Sequence, residues 1–290
     1  MRVTITAYSS EAGYRAMMRW YAATLASSAV PYESITVATR FGETHLLAAG
    51  PTAAPPVVLL HGMEGSGLSW KPQVTQLATA FRTYALDILG SCGKSAPVRL
   101  SLTNGEYAEW LTDVVDALEL ERASYVGISN GAWVVMKLAA HAPERIEKTI
   151  LMSANGLVPV RFPFTLARHM ETRPVRVILD FLAGQLLTRG MVRLATSLVR
   201  AKGATPDPDE LEWFYLLAKY YRTRFPPGPV TDDELRQLTA PTLLLMGERE
   251  RFYDAPAAIA RARRLLPDLR AGEIVPGVGH NMATDNPGLI

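Results

Sequence analysis

Cysteine is almost absent from this chain, and its scarcity excludes both an intrachain disulfide and a structural zinc site built from several cysteines. The 290 residues include one cysteine, Cys92, so no disulfide can form within the chain. One thiol also cannot build a structural zinc site, which needs about four ligands. We expect a reducing, cytoplasmic environment and predict neither a metal nor a cofactor.

An excess of charge of one sign is also missing. The sequence has 30 Lys plus Arg against 28 Asp plus Glu, which gives a formal net charge of +2. A charge this small creates no strong positive field around the protein. Nucleic acid is therefore not a predicted partner.

Long apolar runs are missing as well. The first twenty residues, MRVTITAYSSEAGYRAMMRW, lack the uninterrupted apolar stretch of about 7 to 15 residues that a signal peptide needs. Later runs such as APPVVLL and TLLLM are far shorter than the ~20 residues that cross a bilayer. We therefore expect no export signal and no membrane span.

Hydrophobic residues make up 48% of the chain, enough for one large domain or a domain with an inserted lid.

The N-terminal part of the chain predicts a helix and then a hairpin. Ser10 to Leu25 has apolar residues at helical spacing and predicts an amphipathic helix capped by Ser9 or Ser10. ESITVAT and THLLAAG then flank a short turn containing Gly42, which predicts a β-hairpin.

From Val57 onward, short apolar strands alternate with helices. The strands VVLL, TYALD, ASYVG and TILMS are separated by helices near Pro72 to Phe81, Glu106 to Leu118 and Asn130 to Ala142. Apolar strands of this kind indicate a mostly parallel sheet with helices on both faces, in the α/β class. The alternation resumes after a TDDE capping box at Thr231, with PTLLLMG, a helix from Ala255 to Leu266 and AGEIV.

Residues 155–230 interrupt this alternation with helices alone. The segments LARHM, PVRVILDFLAGQLL, RGMVRLATSLVRA and DELEWFYLLAKYY follow one another without strands between them. We predict a helical cap (lid), 155–230, inserted after the sixth strand of a core domain, 1–154 and 231–290. The cap aromatics Phe162, Trp213 and Phe214 are candidates for lining a substrate pocket, although aromatics at helical spacing usually serve packing.

The segment YVGISNGAWVV carries the most informative motif. Gly127, Ser129 and Gly131 form G-x-S-x-G after a predicted strand and before a predicted helix. The turn in that context is sharp and strained, so it needs glycines, and it presents the serine hydroxyl at the carboxyl end of the sheet. The motif alone is common; the flanking strand and helix favour a nucleophile elbow over an ordinary serine-rich turn.

A serine hydroxyl needs a general base, and the base needs an orienting carboxylate. His280 follows the last predicted strand, and Glu250 follows the strand before it. The order Ser129, Glu250, His280 is typical of a nucleophile at such an elbow, so these three residues form the predicted triad. Cys92, a rival nucleophile, lacks an elbow context.

A second loop, HGMEGS, begins at His61 directly after the strand VVLL. The backbone must turn sharply beside the elbow, so the amides of Met63 and Asn130 are our predicted donors to a developing oxyanion. His61 and Glu64 are candidate substrate contacts. The other histidines are assigned structural or solvated roles: His45, His141 and His169.

The segments HGMEGSGLSW, DILGSCGKS, GISNG, PTLLLMGERE and VPGVGH together resemble the α/β-hydrolase superfamily, in its branch of capped, carboxylesterase-like enzymes. The resemblance covers nearly the whole chain except the insertion, which is similar to the family's variable cap. It implies the α/β-hydrolase fold, with Ser129 matching the nucleophile, His280 the base, Glu250 the acid and Met63 the oxyanion loop.

Two departures from the family pattern leave alternatives open. Family members more often carry Asp at the acid position, so Asp254 stays a rival to Glu250. The chain also ends ten residues after His280, where the resemblance implies a final helix. Either that helix lies outside the printed sequence, or the N-terminal helix and a partner, such as a second copy in a homodimer, take its place.

The resemblance implies a cofactor-independent serine hydrolase that cleaves an apolar carboxylic ester through an acyl-enzyme. Epoxide hydrolases and haloalkane dehalogenases share the fold but use an aspartate nucleophile, so Ser129 argues against both. Thioester and C–C bond hydrolysis stay open as alternatives. So do a non-hydrolytic cyclase or lyase and a ligand-binding protein, because fold alone does not settle function.

Overall fold

The architecture is centred on an eight-stranded sheet, seen in a computed structural model that describes residues 7–161, 187–193, 208–222 and 226–289. The strands lie in the order β1-β2-β4-β3-β5-β6-β7-β8. Of these strands, β2 alone runs opposite to the other seven, so the predicted mostly parallel sheet is confirmed. The strands are β1 (Glu33–Thr39), β2 (Gly42–Ala49), β3 (Pro56–Leu60), β4 (Arg82–Leu86), β5 (Ala123–Ile128), β6 (Ile146–Met152), β7 (Thr242–Gly247) and β8 (Leu269–Val275).

Helices cover both faces of this sheet, as predicted. Along β3, Val58 and Leu60 pack into one hydrophobic core while Val57 and Leu59 pack into another, because alternate side chains of a strand point to opposite faces. The α-helices whose two ends both lie in the described segments are α1 (Glu11–Ala26), α2 (Lys71–Leu77), α3 (Glu106–Ala117), α4 (Asn130–His141), α5 (Pro208–Tyr220), α6 (Asp232–Arg236), α7 (Ala255–Leu265) and α8 (Met282–Asp285). None of them is long and apolar enough to span a membrane.

Helix boundaries agree with the sequence except in α2. Ser10 caps α1, its side chain accepting a hydrogen bond from the Gly13 amide, and Thr231 and Glu234 form the predicted capping box of α6. The expected helix to Phe81 stops at Leu77. Beyond Leu77 the Thr79 and Ala80 amides bond carbonyls three residues back, which tightens the chain into turns.

The first helix of the chain packs against α5, the part of the insertion that the structure describes best. The α5 prediction from DELEWFYLLAKYY is confirmed. Gly13 lies so close to α5 that an added Cβ would be 2.5 Å from Tyr220 Cβ, and the Trp20 indole donates to the Asp209 carbonyl at 2.9 Å. Phe162, the segment LARHM and all of PVRVILDFLAGQLL except Leu187 lie outside the described residues. The division into core and cap stays a prediction.

Candidate active site

Ser129 sits in a sharp turn between β5 and α4. Its backbone is left-handed, with φ 52° and ψ −111°, a conformation that is strained for a residue with a side chain. The flanking glycines permit the close packing of this turn. A Cβ at Gly127 would lie 2.6 Å from the Ala132 amide nitrogen, and one at Gly131 would lie 2.0 Å from the Leu60 carbonyl oxygen. The predicted strand, turn and helix around Ser129 are all present.

His280 and Glu250 meet Ser129 at the carboxyl edge of the sheet. They lie on the loops after β8 and β7, as Ser129 lies after β5. His280 Nε2 is 3.0 Å from Ser129 Oγ, and His280 Nδ1 is 2.7 Å from Glu250 Oε2. The structure thus joins the three predicted residues in one continuous hydrogen-bonded chain.

The ionisation state of Glu250 determines which nitrogen of His280 carries a proton. The residue is buried, and burial acts to raise the pKa of its carboxyl. The His280 hydrogen bond and the Phe252 amide, 2.8 Å away, outweigh burial and hold that pKa below its usual range. An ionised carboxylate only accepts hydrogen bonds, so Nδ1 of His280 carries the proton. In the neutral imidazole, Nε2 is then the acceptor for the Ser129 hydroxyl.

Two aromatic side chains flank His280, and the sequence reasoning missed both. The ring centroids of Phe252 and Tyr253 are 4.7 and 5.7 Å from that of His280. Burial, followed by the Glu250 charge, raises the pKa of Tyr253, so its hydroxyl keeps its proton at neutral pH. Their nearness in sequence to Glu250 was the only available signal, and aromatics in a loop carry no pattern that points to a site.

Asp254, the rival acid, is engaged elsewhere. It caps α7, its Oδ1 accepting from the Ala257 amide at 3.0 Å, and its Oδ2 pairs with Arg161 Nη2 at 3.0 Å. The Ala257 amide, followed by Arg161, lowers the pKa of this half-exposed carboxyl. The carboxylate in contact with His280 is therefore that of Glu250.

His61 lies in the interior, which corrects the expectation that it contacts substrate. Its side chain has no exposed surface, and both ring nitrogens are occupied. Nδ1 donates to the Gly62 carbonyl at 2.6 Å, and Nε2 accepts from the Ile88 amide at 3.0 Å. Burial lowers the pKa of His61, so the ring is neutral and holds the loop to the end of β4.

The loop that carries Met63 lies against the elbow. A Cβ on Gly62 would be 3.5 Å from Ser129 Cβ, which brings the predicted oxyanion loop beside the serine. Asn130 opens α4, where the first backbone amides have no partner within the helix. Glu64 is partly buried in the loop, with a left-handed φ of 65°. Met63 is thus the chain neighbour of Gly62 beside the serine, and Asn130 is the chain neighbour of Ser129 itself. The roles of the Met63 and Asn130 amides, and of Glu64, stay predictions.

The remaining candidates pack away from the triad or are inert. Trp213 stacks near Trp20 of α1 with 6.4 Å between ring centroids, and Phe214 lies 4.8 Å from Trp213. Both belong to the apolar cluster between α1 and α5. Cys92 is buried, and burial raises the pKa of its thiol well above its usual value, so it is a poor nucleophile.

Comparisons with known proteins identify the family to which the chain belongs. Residues 57–290 match the model of the alpha/beta hydrolase family. Two proteins of Bacillus subtilis strain 168 are each 32% identical to the chain: the uncharacterized carboxylesterase nap, over 88% of this chain and 83% of that protein, and carboxylesterase YbfK, over 88% and 84%. The crystal structure of the naproxen esterase, carboxylesterase NP, from Bacillus subtilis superposes with a TM-score of 0.80 at 31% identity, covering 96% of this chain and 95% of that one. The chain therefore belongs to the alpha/beta hydrolase family, as a carboxylesterase-like serine hydrolase.

Proposed function

We propose that this protein hydrolyses apolar carboxylic esters, without a cofactor, through an acyl-enzyme on Ser129. The observation that carries the proposal is the relay from Glu250 Oε2 through His280 to Ser129 Oγ, with contacts of 2.7 and 3.0 Å. It ends on a serine in a strained left-handed turn. This arrangement supplies a nucleophile, a base and an orienting carboxylate in one unit.

Acylation begins when Ser129 Oγ attacks the ester carbonyl carbon and passes its proton to His280 Nε2. The imidazolium that forms is stabilised by the Glu250 carboxylate at Nδ1. The tetrahedral intermediate collapses as the bond to the alcohol breaks. His280 gives the proton to the leaving alkoxide, and the acyl group remains on Ser129.

Deacylation repeats these steps with water. His280 removes a proton from water, whose oxygen attacks the acyl carbon, and the proton returns to Ser129 as the carboxylic acid leaves. In both halves the backbone amides of Met63 and Asn130 are the proposed donors to the oxyanion. Removing one such donor in a comparable enzyme costs about 100- to 1000-fold in kcat.

Apolar carboxylic esters are the proposed substrates because of two lines of support. The similar Bacillus subtilis proteins are carboxylesterases, one of them a naproxen esterase. Two aromatic side chains, Phe252 and Tyr253, also lie beside the His280 ring. Esters of aryl-substituted acids therefore belong among the first compounds to be assayed.

Hydrolysis of a matched series of substrates tests the proposal. The series comprises p-nitrophenyl esters of rising acyl length, a naproxen ester, the corresponding thioesters and a vinylogous diketone for C–C cleavage. We expect the esters to give the highest kcat/KM and Ser129→Ala to lose several orders of magnitude of it, leaving the ~10³- to 10⁴-fold contribution of the oxyanion hole and binding.

Other outcomes favour other functions. A higher kcat/KM for thioesters or for the diketone would assign those reactions instead. Binding of an ester without turnover would favour a ligand-binding protein. Turnover by folded Ser129→Ala at near the wild-type rate would contradict a serine mechanism. No hydrolysis of any compound in the series would favour a cyclase or lyase that uses His280 as a base.

A further inference from the structure

A second hydrogen-bonded series of Ser, His and Asp lies in the same molecule, near the β1 edge of the sheet. Ser34 Oγ is 2.7 Å from His45 Nε2, and His45 Nδ1 is 2.8 Å from Asp87 Oδ2. The same ring nitrogens face serine and carboxylate as in His280. These residues come from β1, β2 and the end of β4, and the esterase mechanism uses none of them.

The Asp87 carboxylate is fixed and ionised. It has no exposed surface, and it accepts hydrogen bonds from the Gly67 amide at 2.6 Å and the Lys94 amide at 2.8 Å, in addition to His45. Burial acts to raise the pKa of Asp87, but the His45 hydrogen bond and these amides outweigh it and lower that pKa. The Tyr21 hydroxyl adds a longer contact at 3.4 Å to Oδ1.

The position of the proton on the His45 ring determines whether the Ser34 hydroxyl donates or accepts a hydrogen bond. An ionised carboxylate cannot donate, so His45 Nδ1 carries the proton toward Asp87. In the neutral ring Nε2 is a bare acceptor, and the Ser34 hydroxyl must donate to it. The ring is held in this orientation because it is buried, and the edge of the Tyr21 ring packs against it.

Exposure distinguishes this chain from an internal structural network. His45 and Asp87 are buried, yet Ser34 is exposed on β1, the first strand of the sheet. An exposed serine whose hydroxyl donates to a buried, carboxylate-oriented imidazole has a general base already in place. Four inter-strand steps of about 4.8 Å put β1 roughly 19 Å from β5, so this serine is separate from the esterase site.

We propose that Ser34 is a second nucleophilic hydroxyl, a covalent acceptor site for activated acyl esters and related phosphonyl electrophiles. Ser34 Oγ bonds to the carbonyl carbon, the bond to the alcohol breaks, and His45 passes the serine proton to the leaving alkoxide. The products are O-acyl-Ser34 and free alcohol. Ser34 lies in a regular strand, without the left-handed turn of Ser129, so we expect a stoichiometric adduct and not rapid turnover.

Labelling of the Ser129→Ala protein with a small fluorophosphonate tests the proposal. Ser34 Oγ should bond to phosphorus as the P–F bond breaks and fluoride leaves. Intact-mass measurement and peptide mapping should show one adduct per chain, at Ser34. The Ser129→Ala background removes the proposed esterase nucleophile, so the result does not depend on whether the esterase function is correct.

Matched variants separate activation by His45 from simple exposure. Ser69 is also exposed, and its Oγ accepts from the Ser66 amide. In the Ser129→Ala background, Ser34→Ala should abolish the adduct and Ser69→Ala should leave it unchanged. His45→Gln should slow labelling by about 100-fold, the size of a general-base contribution.

Three results would overturn the proposal: no adduct at Ser34, labelling of Ser34 and Ser69 at equal rates, or an unchanged rate in folded His45→Gln. If His45→Gln does not fold, the ratio of Ser34 to Ser69 labelling within the Ser129→Ala protein decides. We expect that ratio to exceed tenfold.

Discussion

Glu250 and Asp254 are four residues apart, and single-residue chemistry gives them different roles. Glu250 is buried against His280, whereas Asp254 is half exposed, caps α7 and pairs with Arg161. A glutamate is longer than an aspartate by one methylene, so the acid can sit earlier in the loop and still reach the imidazole. The proposed catalytic acid is therefore Glu250.

Replacing the two carboxylates separately tests this assignment. Glu250→Gln removes the charge that orients and stabilises the His280 imidazolium, and we expect kcat to fall by up to ~10⁴-fold, as in a comparable triad. Asp254→Asn, the matched control, should change kcat by less than about tenfold. Asp254 is the N-cap residue of helix α7, and such a residue contributes mainly to stability. Steady-state kinetics on one chromogenic ester would reveal the reverse ranking, which would transfer the role to Asp254.

At the scale of the elements, sequence patterns predicted the strands and most helices but not the contacts that tie them together. Apolar runs and the G-x-S-x-G motif are local signals, so β5, the turn at Ser129 and α4 could all be predicted. The His45–Asp87 contact joins residues 42 apart, and the Trp20–Asp209 contact joins residues 189 apart. The periodic pattern of apolar residues along the sequence does not indicate which distant residues will contact one another. His61 was misassigned for the same reason, since its partner Ile88 lies on another loop.

Helix α4 passes so close to β3 that we expect a larger residue at Gly131 to destabilise the protein. A Cβ at Gly131 would lie 2.0 Å from the Leu60 carbonyl oxygen, and backbone on both sides leaves little room to adjust. Gly131→Ala should lower the free energy of unfolding by about 1–3 kcal/mol or more, the usual cost of overpacking. Gly228→Ala, where an added Cβ meets nothing within 4 Å, should change it by less than about 0.5 kcal/mol. Urea unfolding would contradict the packing argument if the two variants were equally stable.

Asp87 links the loop after β4 to the loop after β3 and should make stability depend on pH. Its folded pKa is lowered, so its contribution is present above the unfolded pKa of about 3.9 and is lost as pH falls through the lower, folded value. Asp87→Asn should lower the free energy of unfolding at pH 7 by about 3 kcal/mol, because the amide cannot accept every bond of the carboxylate. The gap between wild type and variant should narrow below about pH 3.9. Denaturant titrations showing a constant gap down to pH 3 would contradict this.

At the scale of the whole molecule, α1 joins the sheet to α5, which lies within the predicted insertion. Tyr21 of α1 reaches the buried Asp87, and on the same helix Gly13 and Trp20 contact α5. The N-terminal helix was predicted from its periodicity, but its position between the two parts of the molecule was not. We expect α5 to depend on α1 for its protection from solvent.

The homodimer stays a prediction, and measuring the mass of the protein in solution tests it.

Hydrogen exchange can measure this dependence. Gly13→Leu places a side chain where the Tyr220 side chain already lies, so it should separate the two helices and speed amide exchange in α5. Ala22→Leu, on the exposed face of α1, is the matched control and should leave the exchange of α5 unchanged. Equal exchange of α5 in both variants would show that α1 does not hold it.

Trapping of the acyl-enzyme tests most directly whether Ser129 is the esterase nucleophile. The protein would be mixed with a p-nitrophenyl ester, quenched in acid within a single turnover, and its peptides analysed by mass spectrometry. We predict an acyl group on Ser129 that forms as fast as p-nitrophenol is released and is absent from Ser129→Ala. Release of p-nitrophenol at the wild-type rate without acylated Ser129, in the absence of a change of fold, would contradict the mechanism.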